Sequence, residues 1–157
     1  MTINDLVLTN NVKKPTILYH ASHISNLKEL HSIHNISNSG SSLGKKWIYA
    51  ATSRNVCSAF TFPWDDSFGI EFSSHIYTSA NSKIWKGIFK IPKKLSHLMN
   101  HPCSIYTITD VSTFSPVTSG LHGEYRSISA TIPVHSEIKF PTAKKCMESY
   151  GVNIVIV

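Results

Sequence analysis

The side chains of this chain that could do chemistry fall into a few groups, and their spacing sorts them. His20 and His23, and again His31 and His34, repeat an HxxH spacing that could bring two imidazoles to one metal from a helix, but no carboxylate or Cys completes either pair. Histidines on the surface are the plainer reading, and no metal is expected. Asp65 and Asp66 could meet a hard cation, although two adjacent acids in a loop more often cap or solvate. Residues 40–46 hold the Gly and Lys of a phosphate-binding loop. Gly40 stands one position too close to Gly44, however, and Lys46 occupies the place of the Ser or Thr that should follow Lys45, so a polar loop is expected there. Neither GxGxxG nor GxSxG occurs.

A cationic group is better organised. Lys83, Lys86, Lys90, Lys93 and Lys94 lie within residues 72–109, a stretch with no acid, and Tyr77, Trp85 and Phe89 interleave with them. On a strand, Lys86, Ile88 and Lys90 share one face while Trp85, Gly87, Phe89 and Ile91 share the other. Such a face could follow a phosphate backbone and let an aromatic ring stack on bases. The competing reading is an edge strand guarded by Lys against aggregation.

Three further segments carry a His, a Tyr and a Glu in that order: Leu18-Tyr19-His20-Ala21-Ser22, Trp47-Ile48-Tyr49-Ala50-Ala51-Thr52-Ser53, and Gly123-Glu124-Tyr125-Arg126-Ser127-Ile128. Singly, each has a plain explanation as a core histidine, a core aromatic or a surface acid. Together they resemble the His-Tyr-Glu triad of the ADP-ribosyltransferase superfamily, in the branch of diphtheria toxin and the poly(ADP-ribose) polymerases. Phe60 adds to the likeness, since it follows Tyr49 by eleven residues, where many relatives carry a second aromatic. The resemblance covers residues 16 to about 132. It departs from the pattern where Ala21 replaces the Gly after the His and where Cys57, with Ser58 beside it, replaces a helix Ser. The Arg-Ser-Glu branch would need a Ser-Thr-Ser strand and a Glu-x-Glu turn, and the chain has neither.

The resemblance implies a split pair of mixed sheets with short flanking helices, with NAD as co-substrate. It implies Glu124 as the catalytic carboxylate beside the nicotinamide ribose, His20 on the adenosine ribose, and Tyr49 and Phe60 on the nicotinamide ring. Ala21 and Ser22 would lie along the cofactor, and Arg54 or Lys45 could meet the pyrophosphate. Breaking the nicotinamide–ribose bond builds positive charge on the ribose, as in glycoside hydrolysis, so a fixed carboxylate is the group that the chemistry needs. For the acceptor, the basic surface favours RNA or DNA over a protein side chain, as in nucleic-acid-modifying toxins and defence effectors that an antitoxin partner neutralises. The other class to weigh is a non-catalytic nucleotide or nucleic-acid binder, which Ala21 and Cys57 keep in play.

The elements that must position these groups are mostly short strands. Strands are expected at 16–20, 46–51, 70–78, 84–91, 104–109, around 111–114, at 125–132 and at 152–157. Short helices are expected at 24–33, after a Thr52 or Ser53 cap as far as Pro63, from Pro92 to Asn100 and at 143–150. Helices and strands do not alternate strictly, so the class is α+β and not a doubly wound sheet.

The chain has 157 residues, with 41% hydrophobic and 15% charged residues and a net charge of +6. That composition fits one domain over 15–157 behind a leader at 1–14, and it excludes wholesale disorder. Cys57, Cys103 and Cys146 stand far apart and form no CxxC, which fits a reducing compartment. No apolar run has the length of a signal peptide or a membrane span, so a cytoplasmic protein without a membrane partner is expected.

Overall fold

A computed structural model describes residues 14–32, 47–61, 66–118 and 123–157. Its strands in chain order are β1 (Leu18–Ser22), β2 (Glu29–His31), β3 (Ile48–Ala51), β4 (Glu71–Ser79), β5 (Ser82–Ile91), β6 (Cys103–Ile108), β7 (Phe114–Pro116), β8 (Glu124–Ser127), β9 (Thr131–Pro133), β10 (Ser136–Phe140) and β11 (Val152–Ile156). Two short α-helices, α1 (Arg54–Cys57) and α2 (Ala143–Ser149), and 3₁₀ turns at Ser58–Phe60, Asp66–Phe68 and Lys93–Asn100 complete it. The fold is α+β.

One sheet has six strands in the order β10-β6-β1-β3-β8-β7, all antiparallel to their neighbours. A second has the order β11-β5-β4, with β11 parallel and β4 antiparallel to β5, and a β2-β9 ribbon forms a third. Alternation along the strands of the six-stranded sheet feeds two cores. Ala51, Cys103 and Ile105 pack with α1, α2, and Phe89, Ile91 and Val152 of the second sheet. Leu18, Ile48, Ala50, Tyr106 and Ile108 pack on the other face with Leu30 and Ile132 of the ribbon. Both faces of the larger sheet are thus covered.

Several elements differ from those expected. Residues 24–32 are not helical, because partners distant in sequence take the backbone groups that a helix would use. The Tyr106 hydroxyl donates to the Ile24 carbonyl at 2.6 Å and accepts from the Leu27 N–H at 3.2 Å. Glu137 accepts the Asn26 N–H, and Asn26 itself has a φ of 64°, which interrupts a right-handed helix. Leu30 instead enters β2, opposite Ile132. The run 125–132 is two strands, parted where Ser127 Oγ accepts the Ser129 N–H and Ala130 accepts the Ser32 N–H. The strand near 111 begins only at Phe114, after a turn closed by Phe114 N–H on Val111 O. β10 was not expected at all, since Ser-Glu-Ile-Lys-Phe carries only two apolar residues. The short helix expected from Pro92 to Asn100 is present over Lys93–Asn100, in 3₁₀ form. The leader through residue 13, the loop 40–46, His34, Lys45, Pro63 and Asp65 lie outside the described residues.

Candidate active site

The strands that carry His20, Tyr49 and Glu124 lie side by side in the order β1-β3-β8. β3 and β8 pair along their whole length, with Ala51 opposite Glu124 and Tyr49 opposite Arg126. Because Ala51 belongs to the core between the two larger sheets, Tyr49, Glu124 and Arg126 share its face, and Tyr49 and Glu124 are diagonal neighbours.

β1 joins β3 differently. Five residue pairs link β1 to β6, but only Tyr19 and Ala51 pair it to β3. Beyond that pair the backbone ladder stops, and the His20 ring takes over: its Nδ1 lies 2.6 Å from the Tyr49 carbonyl oxygen. A carbonyl can only accept, so in this contact Nδ1 carries a proton and donates. The register opposite Tyr106 places His20 on the sheet face of Leu18, the reverse of the face that Tyr49 and Glu124 occupy. The structure therefore brings the three residues onto adjacent strands, two facing the inter-sheet space and the third reaching into the seam between β1 and β3.

Glu124 is held by its backbone. The Thr52 N–H donates to Gly123 O and the Val117 N–H to Glu124 O, each at 2.9 Å. Gly123 has a φ of 81°, and a Cβ there would stand 2.3 Å from Thr52 Oγ1, so this turn requires glycine. The other end of that contact opens α1. Ser53 caps it, its Oγ accepting the Val56 N–H at 3.3 Å, as the expected Thr52 or Ser53 cap requires.

Thr52, Ser53, Asn55 and Val56 form one wall of a groove of about 460 Å³, and Ser74, His75, Ile76 and Trp85 of the β4–β5 hairpin form the other. That volume is in the range of small-molecule sites. Arg54 is half-buried, its guanidinium 4.8 Å over the Tyr19 ring. Its Nε is buried without a hydrogen-bond partner among the described residues.

The remaining expected contacts are placed as follows. Phe60 packs edge-on to Phe72 at 6.1 Å and leans on the inter-sheet core. Ala21 packs against the same core, and Ser22 Oγ accepts the Ile24 N–H. Cys57 is buried, and burial first and Cys103 second push its thiol up, offset in part by Arg54. Ser58 is buried too and donates to Asn55 O at 2.7 Å, so neither residue of that pair presents a group to a ligand. All three cysteines are free and buried. Among the described residues no three His, Cys, Asp or Glu side chains converge on a metal position, and no helix is long and apolar enough to cross a membrane.

On β5 the alternation holds: Lys86 and Lys90 are exposed while Gly87, Phe89 and Ile91 are buried. Lys83, exposed near the hairpin tip, lies on the opposite pleat, and Lys93 and Lys94 are exposed on the following 3₁₀ turn. Two cation–ring contacts border these groups. Arg126, opposite Tyr49, lies 4.0 Å over the Trp47 ring. Tyr77 reaches the lysine side from β4 and sits 5.5 Å beneath Lys86 Nζ. Only the strand register reveals either.

No family model matches this chain, and no curated protein or solved structure matches it significantly.

Proposed function

We propose that the protein transfers ADP-ribose from NAD to a macromolecular acceptor, with nucleic acid as the acceptor that its cationic surface favours. The observation that carries this reading is the adjacency of β1, β3 and β8, which sets three distant segments bearing His20, Tyr49 and Glu124 on neighbouring strands in the order of the triad they resemble. The groove beside Thr52 has the volume of a small-molecule site and adjoins the Gly123–Glu124 turn through the Thr52 N–H, although Arg54 and the three triad residues do not line it. Cys57 and Ser58 are buried, so in this reading ring stacking falls to Tyr49 with the half-buried Phe60, and amide recognition to backbone groups.

In this scheme the bond between the nicotinamide nitrogen and C1′ of its ribose breaks, and its electron pair leaves on neutral nicotinamide. Glu124 stabilises the cationic ribose so formed. An acceptor oxygen or nitrogen then donates its lone pair to C1′ and loses its proton to Glu124 or water. His20, fixed by the Tyr49 carbonyl, holds a ribose hydroxyl through Nε2. A second reading has its own observation: His20 lies on the far face from Glu124, as a binder that never turns over would tolerate.

Incubating the protein with labelled NAD and, separately, RNA, single-stranded DNA, duplex DNA and protein separates these readings. The expected result is label in a nucleic-acid pool together with nicotinamide release, both reduced about a hundredfold or more in a folded Glu124→Gln variant. Full activity in that variant removes Glu124 from the mechanism. NAD binding with no release supports the non-catalytic reading.

A further inference from the structure

The β11-β5-β4 sheet buries one face and leaves the other open. On the open face the strand register sets Lys90 beside Glu71, Ile88 beside Ser73, Lys86 beside His75 and Ile84 beside Tyr77. Glu71, His75, Lys86 and Lys90 are exposed, while Tyr77, Ile84 and Ile88 are half-buried between them. The His75 and Tyr77 rings lie 6.1 Å apart, tilted by 34°, with the Lys86 ammonium over Tyr77. Trp85 and Phe89 project from the opposite pleat, as the alternation along β5 implies, and the interleaved ring that lies on the cationic face is Tyr77.

We infer that this open face of the β4–β5 hairpin is a platform for single-stranded nucleic acid, with Tyr77 stacking on a base and Lys86 and Lys90 holding phosphates. Lys86 and Lys90 stand four residues apart on one strand, about 13 Å, with apolar Ile88 between them. A duplex presents phosphates and shielded bases, which a purely cationic surface would serve. Here rings and isoleucines alternate with cations, an arrangement that fits bases exposed to stack. Lys86 is solvent-exposed and can swing from the Tyr77 ring to a phosphate, baring the ring for a base.

His75 also lines the groove whose opposite wall, Thr52, is hydrogen-bonded to Gly123 beside Glu124. A strand crossing the β4 edge at His75 therefore enters that groove. Use of the bound strand as acceptor rests on the transferase reading, whereas binding does not.

The test is fluorescence anisotropy without NAD, using labelled single-stranded RNA and DNA oligonucleotides and the matching duplexes at low and moderate salt. Single strands are expected to bind more tightly than duplexes. Tyr77→Ala is expected to weaken single-strand binding about tenfold, the usual loss of one base–aromatic stack, while Tyr77→Phe retains it. Lys86→Glu with Lys90→Glu is expected to weaken binding and flatten its salt dependence, which keeps the test open should Tyr77→Ala fail to fold. Three results overturn the inference: no binding by folded protein, equal binding of single strands and duplexes untouched by Tyr77→Ala, or self-association of the protein with no oligonucleotide bound. Oligonucleotide binding without nicotinamide release keeps this inference and removes the transferase reading. Release without binding does the reverse.

Discussion

β1 is zipped to β6 over five residue pairs and to β3 over one. The two halves of the six-stranded sheet that meet along β1 are also pinned by different means. In β10-β6-β1 the pins are polar side chains on long tethers: Ser104 on Glu137 at 2.5 Å, Tyr106 on Ile24 and Leu27, and Lys139 on Asn26. In β3-β8-β7 they are close contacts of small residues, Gly123 against Thr52 and Ser127 Oγ on Thr113 Oγ1 at 2.7 Å, with Arg126 laid on Trp47. Between the halves, His20 on the Tyr49 carbonyl joins the backbone pair of Tyr19 and Ala51. The candidate Tyr and Glu lie on the β3–β8 side of that seam, and the His reaches into it.

The half that carries Glu124 is the more sensitive to a single atom. Gly123→Ala adds a methyl 2.3 Å from Thr52 Oγ1 at a φ of 81°, and it is expected to cost about 2 kcal/mol in urea unfolding. Thr52→Ala in the same chain removes the clash and leaves the backbone strain, so the double variant should recover about half of the loss. Equal losses in the single and double variants would show that strain at the turn, not the contact with Thr52, fixes Glu124 in place.

A smaller effect is expected at the seam. His20→Ala removes the donor to the Tyr49 carbonyl and should cost about 1 kcal/mol, a typical net hydrogen bond with its acceptor left part-buried. His20→Asn, which restores an N–H at a similar reach, should regain stability. If the histidine also holds a ribose hydroxyl, the asparagine variant regains stability and still raises the KM for NAD. Recovery of both would reduce His20 to a clasp between β1 and β3.

What the sequence discloses follows the same division. The β-branched and aromatic runs expected as strands at 46–51, 84–91 and 104–109 and the alternation within 84–91 are local, so those strands, the inward and outward faces of β5 and the Ser53 cap can be read from residue order. The steps of three from Ile24 to Ile33 read as a helix because nothing local announces that Tyr106 and Glu137, about eighty and more than a hundred residues away, take its backbone groups. β10 is hidden for the same reason, its place being set by register to β6 and not by its own hydrophobicity. At the candidate site the residue types are legible, but the face on which each projects is a property of pairing. Hence the register, not the spacing, separates His20 from Tyr49 and Glu124, and brings Tyr77 to the lysines.

The smallest expected effect tests the polar pins of the β10-β6-β1 half. Desolvation pushes the Glu137 carboxyl up, but hydrogen bonds from Ser104 and the Asn26 N–H, the Tyr106 hydroxyl nearby and the charge of Lys139 together hold it below its ordinary value. A carboxyl whose folded value is depressed binds fewer protons in the folded state than in the unfolded one, so its stabilisation is fully present above the ordinary glutamate range. It is lost as the pH falls from that range through the lower folded value. Solvent screening at this site limits the contribution to under about 1 kcal/mol. Glu137→Gln should therefore lower the Tm slightly at neutral pH and by nearly nothing at the acid end of that window, with the two profiles converging as pH falls. Parallel profiles would mean that shape, not charge, pins residues 24–28 to the sheet. The two halves would then be held by the same kind of contact.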